Sequence, residues 1–355
     1  MALNRPTDRW LPAVPARQIN LDLAGMDTDA RHNLSAAIRF EQTLFIAGDE
    51  GCFVHRLVQL PDGGWGLHQA LPLADLLTLA DPDAEIDIEG LAVEDNWLWI
   101  VGSHACTRQK LAKGGDEKID LEALAALRPM PARAFLARVP LVVETSGHLL
   151  PVRQDGGRIA GLVKQTGNGN RIAAALARHA LLGRFSSLPA KEGGIDIEGI
   201  AVAGNRVALG MRGPTLGGHA VLLELQIMAK RSGRLKLIAD PVVRLLSLEG
   251  LAIRDLKRDD DDLLILSGPT TAVSGPCSLW RWRGWAGDPP RDGTTVRLHK
   301  PDWLMDLPHG RGKDHPEGLA LVDGDEPGIM VLPDSPAPLR FKGTRLSVDV
   351  FAWPG

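Results

Sequence analysis

The sequence has few cysteines, and none of them are suitably spaced for a metal or disulfide motif. Among 355 residues, only Cys52, Cys106 and Cys277 are cysteine. Their spacing fits neither a zinc-binding motif nor a disulfide framework. We therefore expect three unpaired thiols that are buried and pack as small apolar side chains.

The chain also lacks a dense basic stripe and a long apolar run. Forty Lys and Arg residues face 44 Asp and Glu residues, for a formal charge of -4, which argues against nucleic acid or an anionic membrane as a partner. No run of about 18 uncharged apolar residues occurs, and the first residues, "MALNRPTDRWLPAVPARQ", lack the apolar core of a secretory signal. We expect a cytoplasmic protein and leave its oligomeric state open.

A carboxylate-bearing phrase is repeated along the chain. It reads "AEIDIEGLAV" at 84–93, "GGIDIEG" at 193–199, "LLSLEGLAI" at 245–253 and "DHPEGLAL" at 314–321. Glu89 precedes Leu98, and Glu198 precedes Val207, by the same nine residues across a turn. Each copy therefore predicts a β-hairpin, and Ser35 takes the glutamate position in a further copy.

Third and fourth apolar segments follow most hairpins, and four antiparallel strands in each repeat are typical of a β-propeller blade. We predict an all-β fold with residues 1–355 in one propeller domain of five blades, the last completed by the amino-terminal "PARQINLDL". Residues 107–133 and 165–190 read as insertions on one face, the second of them helical. A sixth, degenerate blade within 143–190 is the alternative.

The first strand of every propeller blade lines the central channel, so residues at the same position of the repeat (the frame position) lie at one height in that channel. The repeated glutamates share such a position, and we therefore expect them to converge. Oxygen ligands without clustered cysteine or paired histidine favour calcium or magnesium over zinc. The candidate metal ligands are Glu89, Glu198, Glu249 and Glu317. Arg212 is the one cation in frame, and the alternative is a structural cation or an Arg212-centred ion-pair network.

Further candidates flank these markers. Asp49 and Asp334 align with Arg212, whereas Asp87 and Asp196 lie two residues before their glutamates and either extend the acidic ring or cap a turn. His104 and His315 lie beside the aligned positions of the repeat. Each is either a general base or a hydrogen-bonded structural histidine.

These residues carry a family likeness. From about residue 31 to the carboxyl terminus, "PAKEGGIDIEGIAV", "GMRGPTLGGHAVLLEL", "SGPT", "PEGLAL" and "LPDSP" occur in this order, and the chain resembles an uncharacterised bacterial β-propeller family, domain of unknown function 3616. It is more distantly similar to phytase-like propellers with proposed esterase activity and to calcium-dependent lactonases of the gluconolactonase and paraoxonase type. That likeness implies metal-ligand roles for the four glutamates, although the lactonases' asparagine ligands cannot be placed in this chain.

Two main hypotheses follow. The first is a metal-dependent hydrolase of a small phosphoester, ester or lactone, in which Glu198 or His315 takes a proton, Arg212 holds an anionic substrate and residues 171–185 form a lid. The second is a non-catalytic binding or scaffold propeller with a structural acid–arginine ring. A third reading is an acidic channel for a cationic small molecule, which requires Arg212 to point away from the axis.

Overall fold

The structure is a computed structural model that describes residues 11–49, 51–108, 121–271, 274–289, 295–324 and 326–353. In these residues the chain is built mainly from β-strands. The strands form where short runs rich in Leu, Ile, Val and Trp are bounded by turn residues, as in the hairpin 88–102. The prediction of an all-β fold is confirmed.

Within the described ranges, the strands after β1 (Arg17–Asp22) fall into five consecutive groups, called units 1 to 5. Unit 1 comprises β2 (Leu34–Phe40), β3 (Thr43–Gly48), β4 (Phe53–Gln59) and β5 (Trp65–Pro72), and helix α1 (Leu73–Leu76) follows it. The main strands of unit 2 are β6 (Ile88–Glu94), β7 (Trp97–Gly102) and β10 (Leu136–Val143). Three short elements lie between β7 and β10: β8 (Thr107–Arg108), α2 (Leu121–Ala125) and β9 (Leu127–Arg128).

Short elements follow before unit 3. They are β11 (Leu149–Pro151), β12 (Gln154–Asp155), β13 (Arg158–Ile159), β14 (Gly161–Leu162), β15 (Gln165–Thr166), β16 (Gly169–Asn170) and α3 (Arg171–Arg178). Of these, β11 and β14 pair with β10 and extend unit 2.

The remaining units continue in chain order. Unit 3 comprises β17 (Asp196–Ala203), β18 (Arg206–Leu216), β19 (His219–Ala229), β20 (Leu235–Leu237) and β21 (Val242–Leu246). Unit 4 comprises β22 (Ala252–Asp259), β23 (Asp262–Gly268), β24 (Cys277–Trp282) and β26 (Asp302–Leu307). Strand β25 (Arg297–His299), which precedes β26 in the chain, pairs with β21 of unit 3. Unit 5 comprises β27 (His315–Val322), β28 (Gly328–Asp334), β29 (Phe341–Lys342) and β30 (Arg345–Ala352).

The first strands of the units form a closed ring of contacts. Strand β2 contacts β6, β6 contacts β17, β17 contacts β22, β22 contacts β27, and β27 contacts β2 again. Apolar clusters fill the spaces between neighbouring units, for example Ala36, Phe45 and Val54 of unit 1 with Leu91 and Leu98 of unit 2. The fold is therefore propeller-like, with one innermost strand from each unit around the axis.

The amino-terminal strand completes unit 5, as the sequence predicts. Strand β1 pairs antiparallel with β30 from Arg17 opposite Val350 to Asp22 opposite Arg345, and Leu21 also bridges to Trp65 of β5. The first and last parts of the chain thus share one sheet, which leaves no free edge on β30 at this junction.

Each innermost strand contains a β-bulge at the same frame position. The residue left out of the strand register is Ser35 in β2, Glu89 in β6, Glu198 in β17, Arg254 in β22 and Glu317 in β27. A bulge redirects its side chain, so these five side chains are presented at one end of the ring.

The prediction that Glu249 is a metal ligand in this frame is wrong. Glu249 and Gly250 have positive φ angles of 55° and 86° and form an exposed turn before β22. The frame position belongs to Arg254, five residues later, and the hairpin closes at a short tip between Asp259 and Asp262. Unit 4 therefore contributes a cation where the sequence predicted a carboxylate.

Glycine follows the bulge in units 2, 3 and 5 because the innermost strands approach closely there. A Cβ on Gly199 would lie 2.7 Å from the backbone nitrogen of Leu256. The repeated glycine is therefore a packing requirement.

The predicted insertions contact one another beside the ring. Arg108 donates from Nε and Nη2 to Glu192 at 2.6 and 2.9 Å, and Gln165 Nε2 donates to the carbonyl of Ala132 at 3.1 Å. Helix α3 is capped by Asn170, whose side chain accepts from the backbone nitrogens of Ile172 and Ala173. Residues 109–120 of the first insertion lie outside the described residues.

Of the three cysteines, Cys277 is buried as expected, whereas Cys52 and Cys106 are half-buried; all three are free thiols. None of the helices in the described ranges is long and apolar enough to cross a membrane.

Candidate functional site

Charged side chains gather at the end of the ring where the bulges lie. The bulge supplies Glu89, Glu198, Glu317 and Arg254. The second strands of units 1, 3 and 5 add Asp49, directly after β3, Arg212, within β18, and Asp334, the last residue of β28. Their proximity is seen in mutual electrostatic interactions: Asp49 interacts with Asp87, Glu198 and Asp334, and Glu89 interacts with Asp49, Asp87, Glu198 and Glu317. The predicted convergence of carboxylates is thus found for this set.

One part of the ring is a chain of alternating carboxylates and guanidiniums. Arg212 lies 2.7 Å from Glu198 Oε1 through Nη1 and 2.6 Å from Asp196 Oδ2 through Nη2. Arg254 lies 2.9 Å from Glu198 Oε2 through Nε and also contacts Glu317. Glu198 is therefore held between two arginines, and Asp196, a candidate for extending the acidic ring, is a partner of Arg212.

The other part of the ring holds three carboxylates beside a single paired guanidinium, that of Arg133 on Asp87. One oxygen each from Asp49, Asp87 and Glu89 lies within 4.8 Å of the others. Glu89 is 7% exposed, and in the described part of the chain it has no hydrogen-bond or ion-pair partner. A buried, unpaired carboxylate is costly unless it is protonated or meets a cation.

Asp87 is held by donors on one oxygen only. Arg133 Nη1 lies 2.7 Å from Asp87 Oδ2, and the Ser103 hydroxyl donates to the same oxygen. Arg133 comes from the 107–133 insertion and also contacts Glu85. This leaves Oδ1 of Asp87 without a donor among the described residues, so the carboxylate keeps an oxygen for a ligand.

Burial and mutual repulsion raise the pKa values of the ring carboxyls. Burial, followed by the charge of Asp87, raises the pKa of Asp49 to about 7. Burial raises the pKa of Glu198 to about 7 and that of Asp87 to about 6, although Arg212 and Arg254 oppose the first shift and Arg133 the second. Burial also raises the pKa values of Glu89 and Glu317 well above their usual range.

If all its carboxyls were ionised, the ring would hold excess negative charge. The ring contains seven carboxyls and three guanidiniums. The carboxyls belong to Asp49, Asp87, Glu89, Asp196, Glu198, Glu317 and Asp334, and the guanidiniums to Arg133, Arg212 and Arg254. Protons or a bound cation must offset the difference. An all-oxygen set of three carboxylates matches the ligand preference of a hard divalent cation, so Asp49, Asp87 and Glu89 fit a calcium or magnesium ion.

The two candidate histidines differ in surroundings. His104 is half-buried and hydrogen-bonded through both ring nitrogens: its Nδ1–H donates to the Gly102 carbonyl at 2.9 Å, and Nε2 accepts from Asn170 Nδ2 at 3.2 Å. Burial lowers the pKa of His104 to about 4, so it is a neutral histidine, and its two hydrogen bonds match the structural alternative. His315 is half-buried at the start of β27, opposite Asp334 in the strand register.

A buried ion pair ties three of the innermost strands together. Lys257 Nζ lies 2.7 Å from both oxygens of Asp255 and 3.4 Å from the carbonyl of Leu91 in β6. Asp255 Oδ2 in turn accepts from the backbone nitrogen of Leu319 in β27 at 2.7 Å. Sequence reasoning missed this pair, although Asp255 stands where the other units have glycine or alanine.

Two ring arginines were also missed. Arg254 precedes Leu263 by nine residues, the spacing that separates Glu89 from Leu98, so the hairpin interval would have found it. Arg133 lies outside the repeat, in an insertion, and no sequence signal placed it beside Asp87.

Comparisons with known proteins complete the description. Among curated proteins no match was found. Solved structures similar to the chain include a glutaminyl cyclase from Myxococcus xanthus, with 10% identity, TM-score 0.41, and coverage of 96% of this chain and 97% of that one. An exo-1,5-alpha-L-arabinanase from a bovine ruminal metagenomic library has 10% identity, TM-score 0.40, and coverage of 92% and 95%. An exo-beta-1,3-galactanase from Phanerochaete chrysosporium has 10% identity, TM-score 0.42, and coverage of 95% and 67%.

The family comparison agrees with the resemblance found in the sequence. The model of the family described as "Protein of unknown function (DUF3616)" matches residues 33–350, and the chain belongs to this family.

Proposed function

We propose that this protein is a divalent-cation-dependent hydrolase whose site lies at the bulge end of a five-bladed ring. The observation that carries the proposal is the cluster of Asp49, Asp87 and Glu89, whose oxygens lie within 4.8 Å of one another and whose excess charge the ring arginines do not offset. We infer five blades because β6 and β17 contact directly, which leaves no place for a further innermost strand between units 2 and 3.

The chain's own residues take distinct roles. Asp49, Asp87 and Glu89 would hold calcium or magnesium, which supplies Lewis-acid polarisation of the scissile group and a more acidic bound water. Ser103 and Arg133 orient Asp87 by holding Oδ2. His315 is the proposed proton acceptor, since it is half-buried at the start of β27, two residues before Glu317.

The role of Arg212 differs from the sequence hypothesis. Its side chain is 17% exposed, and its guanidinium already pairs with Asp196 and Glu198. We therefore propose that Arg212 positions Glu198 rather than holding an anionic substrate. Glu198, with both oxygens beside guanidiniums, becomes a structural member of the ring in place of a catalytic base.

A second candidate function rests on the same chain of pairs. Arg212, Glu198, Arg254 and Glu317 alternate in charge, as expected of a structural network that holds three blades in register. If the whole ring served this purpose, the protein would be a non-catalytic binding propeller.

The two functions separate in a hydrolysis assay with matched variants. We expect the chelator-treated protein to hydrolyse a panel of p-nitrophenyl esters, lactones and phosphoesters only after calcium or magnesium is added. Glu89→Gln should abolish the activity, whereas Glu249→Gln, the same change on the exposed turn, should retain it. Cation-independent activity, equal activity of the two variants, or no hydrolysis of any class would contradict the proposal.

A further inference from the structure

A cavity of about 520 Å³ lies between the two insertions. Its walls come from the segment after β7, the turn before β10, the β15–β16 turn with helix α3, and the segment that leads into β17. A concave space of this size suits a small molecule.

The cavity adjoins the acidic ring along the chain. His104 in its wall directly follows Ser103, whose hydroxyl donates to Asp87. Ile195, also in the wall, directly precedes Asp196, the partner of Arg212. Two wall residues are thus covalent neighbours of residues that build the ring.

The wall is mainly apolar and nearly uncharged. Its described side chains include Met130, Ala173, Ala174, Ala177 and Leu188, none is acidic, and Arg178 is the one charged residue among them. His104 adds no charge, because both of its nitrogens are hydrogen-bonded and burial holds its pKa at about 4. The wall offers mainly apolar contact, and the buried Ser186 hydroxyl, which has no hydrogen-bond partner among the described residues, is a polar exception.

The cavity wall itself favours an uncharged chain. Arg178 is the one charged side chain among the described wall residues, and a charged group buried against the apolar remainder would lose its hydration. An alkyl or acyl chain has no such cost.

We propose that the cavity binds the alkyl or acyl chain of an ester or lactone, which makes this class the substrate of the proposed hydrolase. The inference rests on the proposed function for the chemistry of the ring. The binding of an apolar chain stands on the cavity alone.

The binding step can be tested without catalysis. In chelator buffer, we expect the neutral fluorophore N-phenyl-1-naphthylamine to bind at one site, to be displaced by γ-decalactone and to be unaffected by p-nitrophenyl phosphate. Ala174→Trp places a large side chain in the cavity wall and should weaken binding at least about tenfold, which corresponds to ~1.4 kcal/mol. Ala180→Trp is the matched control, since exposed Ala180 is outside the wall, and it should bind as the wild type does.

Chain length gives a second readout in the unmodified protein. With cation present, kcat/KM for p-nitrophenyl esters should rise from acetate to octanoate by up to about fourfold per methylene, the factor given by ~0.8 kcal/mol per buried methylene. Ala174→Trp should flatten this rise.

The outcomes are distinguishable. No fluorophore binding, equal binding by Ala174→Trp, or equal displacement by p-nitrophenyl phosphate overturns the inference while the cation site stands. Fluorophore binding and displacement as expected, with no hydrolysis of any ester, overturns the proposed function and leaves the cavity as an apolar ligand site.

Discussion

Glu198 and Glu89 occupy the same bulge position in neighbouring units but have opposite surroundings. Glu198 lies between Arg212 and Arg254 at 2.7 and 2.9 Å, whereas Glu89 lies among Asp49 and Asp87. The repeat therefore sets where a side chain points, and residues outside the phrase decide what it does there. This is why the glutamates could be predicted to converge while their roles could not.

Arg254 should be essential for stability. Arg254→Met leaves Glu198 with one guanidinium and Glu317 without its arginine, and removing one partner of a buried pair costs about 3–5 kcal/mol. Urea unfolding at pH 7 should show this loss. The double variant Arg254→Met/Glu317→Gln should recover part of it, and a single variant as stable as the wild type would show that the ion-pair chain is not formed in solution.

At the scale of elements, the strand pattern is largely readable from the sequence. The hairpins, the helix near 171–178 and the amino-terminal strand follow from apolar runs, turn residues and repeat spacing. The error in unit 4 arose because Glu249 and Gly250 imitate the repeated phrase in a turn. The nine-residue interval is the more reliable guide, because it reflects the geometry of the hairpin and not the identity of one residue.

Strand β1 should contribute strongly to folding although it lies far in sequence from its partner β30. Leu21 is fully buried in the cluster shared by β1, unit 1 and unit 5, so Leu21→Ala should cost about 2–5 kcal/mol. Leu11→Ala is the matched control, since Leu11 is 67% exposed, and should change stability by less than about 0.5 kcal/mol. Equal effects in denaturant unfolding would show that β1 does not close the ring.

At the scale of the whole molecule, the ring is held by two different systems. Apolar clusters fill the spaces between units, and polar contacts join innermost strands, such as Lys257 with the Leu91 carbonyl and Asp255 with the Leu319 nitrogen. These polar contacts could not be predicted, since they depend on which units face each other across the axis.

The metal-free protein should lose stability as pH rises through neutrality. The pKa values of Asp49 and Glu198 are raised to about 7 in the folded state, above unfolded values near ~4, so the folded state binds more protons between these limits. Their contribution is fully present below pH ~4 and is lost as pH rises through about 7.

Denaturant unfolding in chelator buffer from pH 5 to 8 checks this sign. The unfolding free energy should fall across the interval, and the fall should be smaller in Asp49→Asn. An unfolding free energy that rises with pH to the same extent in the wild type and in Asp49→Asn would show that the pKa values of these carboxyls are not raised.

The central claim is that Asp49, Asp87 and Glu89 form a cation site, and calorimetric titration of the chelator-treated protein with calcium and magnesium tests it most directly. We predict binding of about one ion per chain, lost in Glu89→Gln and retained in Glu249→Gln, with a stabilisation of ~2.7 kcal/mol at 100 times the dissociation constant. No binding at millimolar cation, or equal binding by Glu89→Gln, would contradict the account.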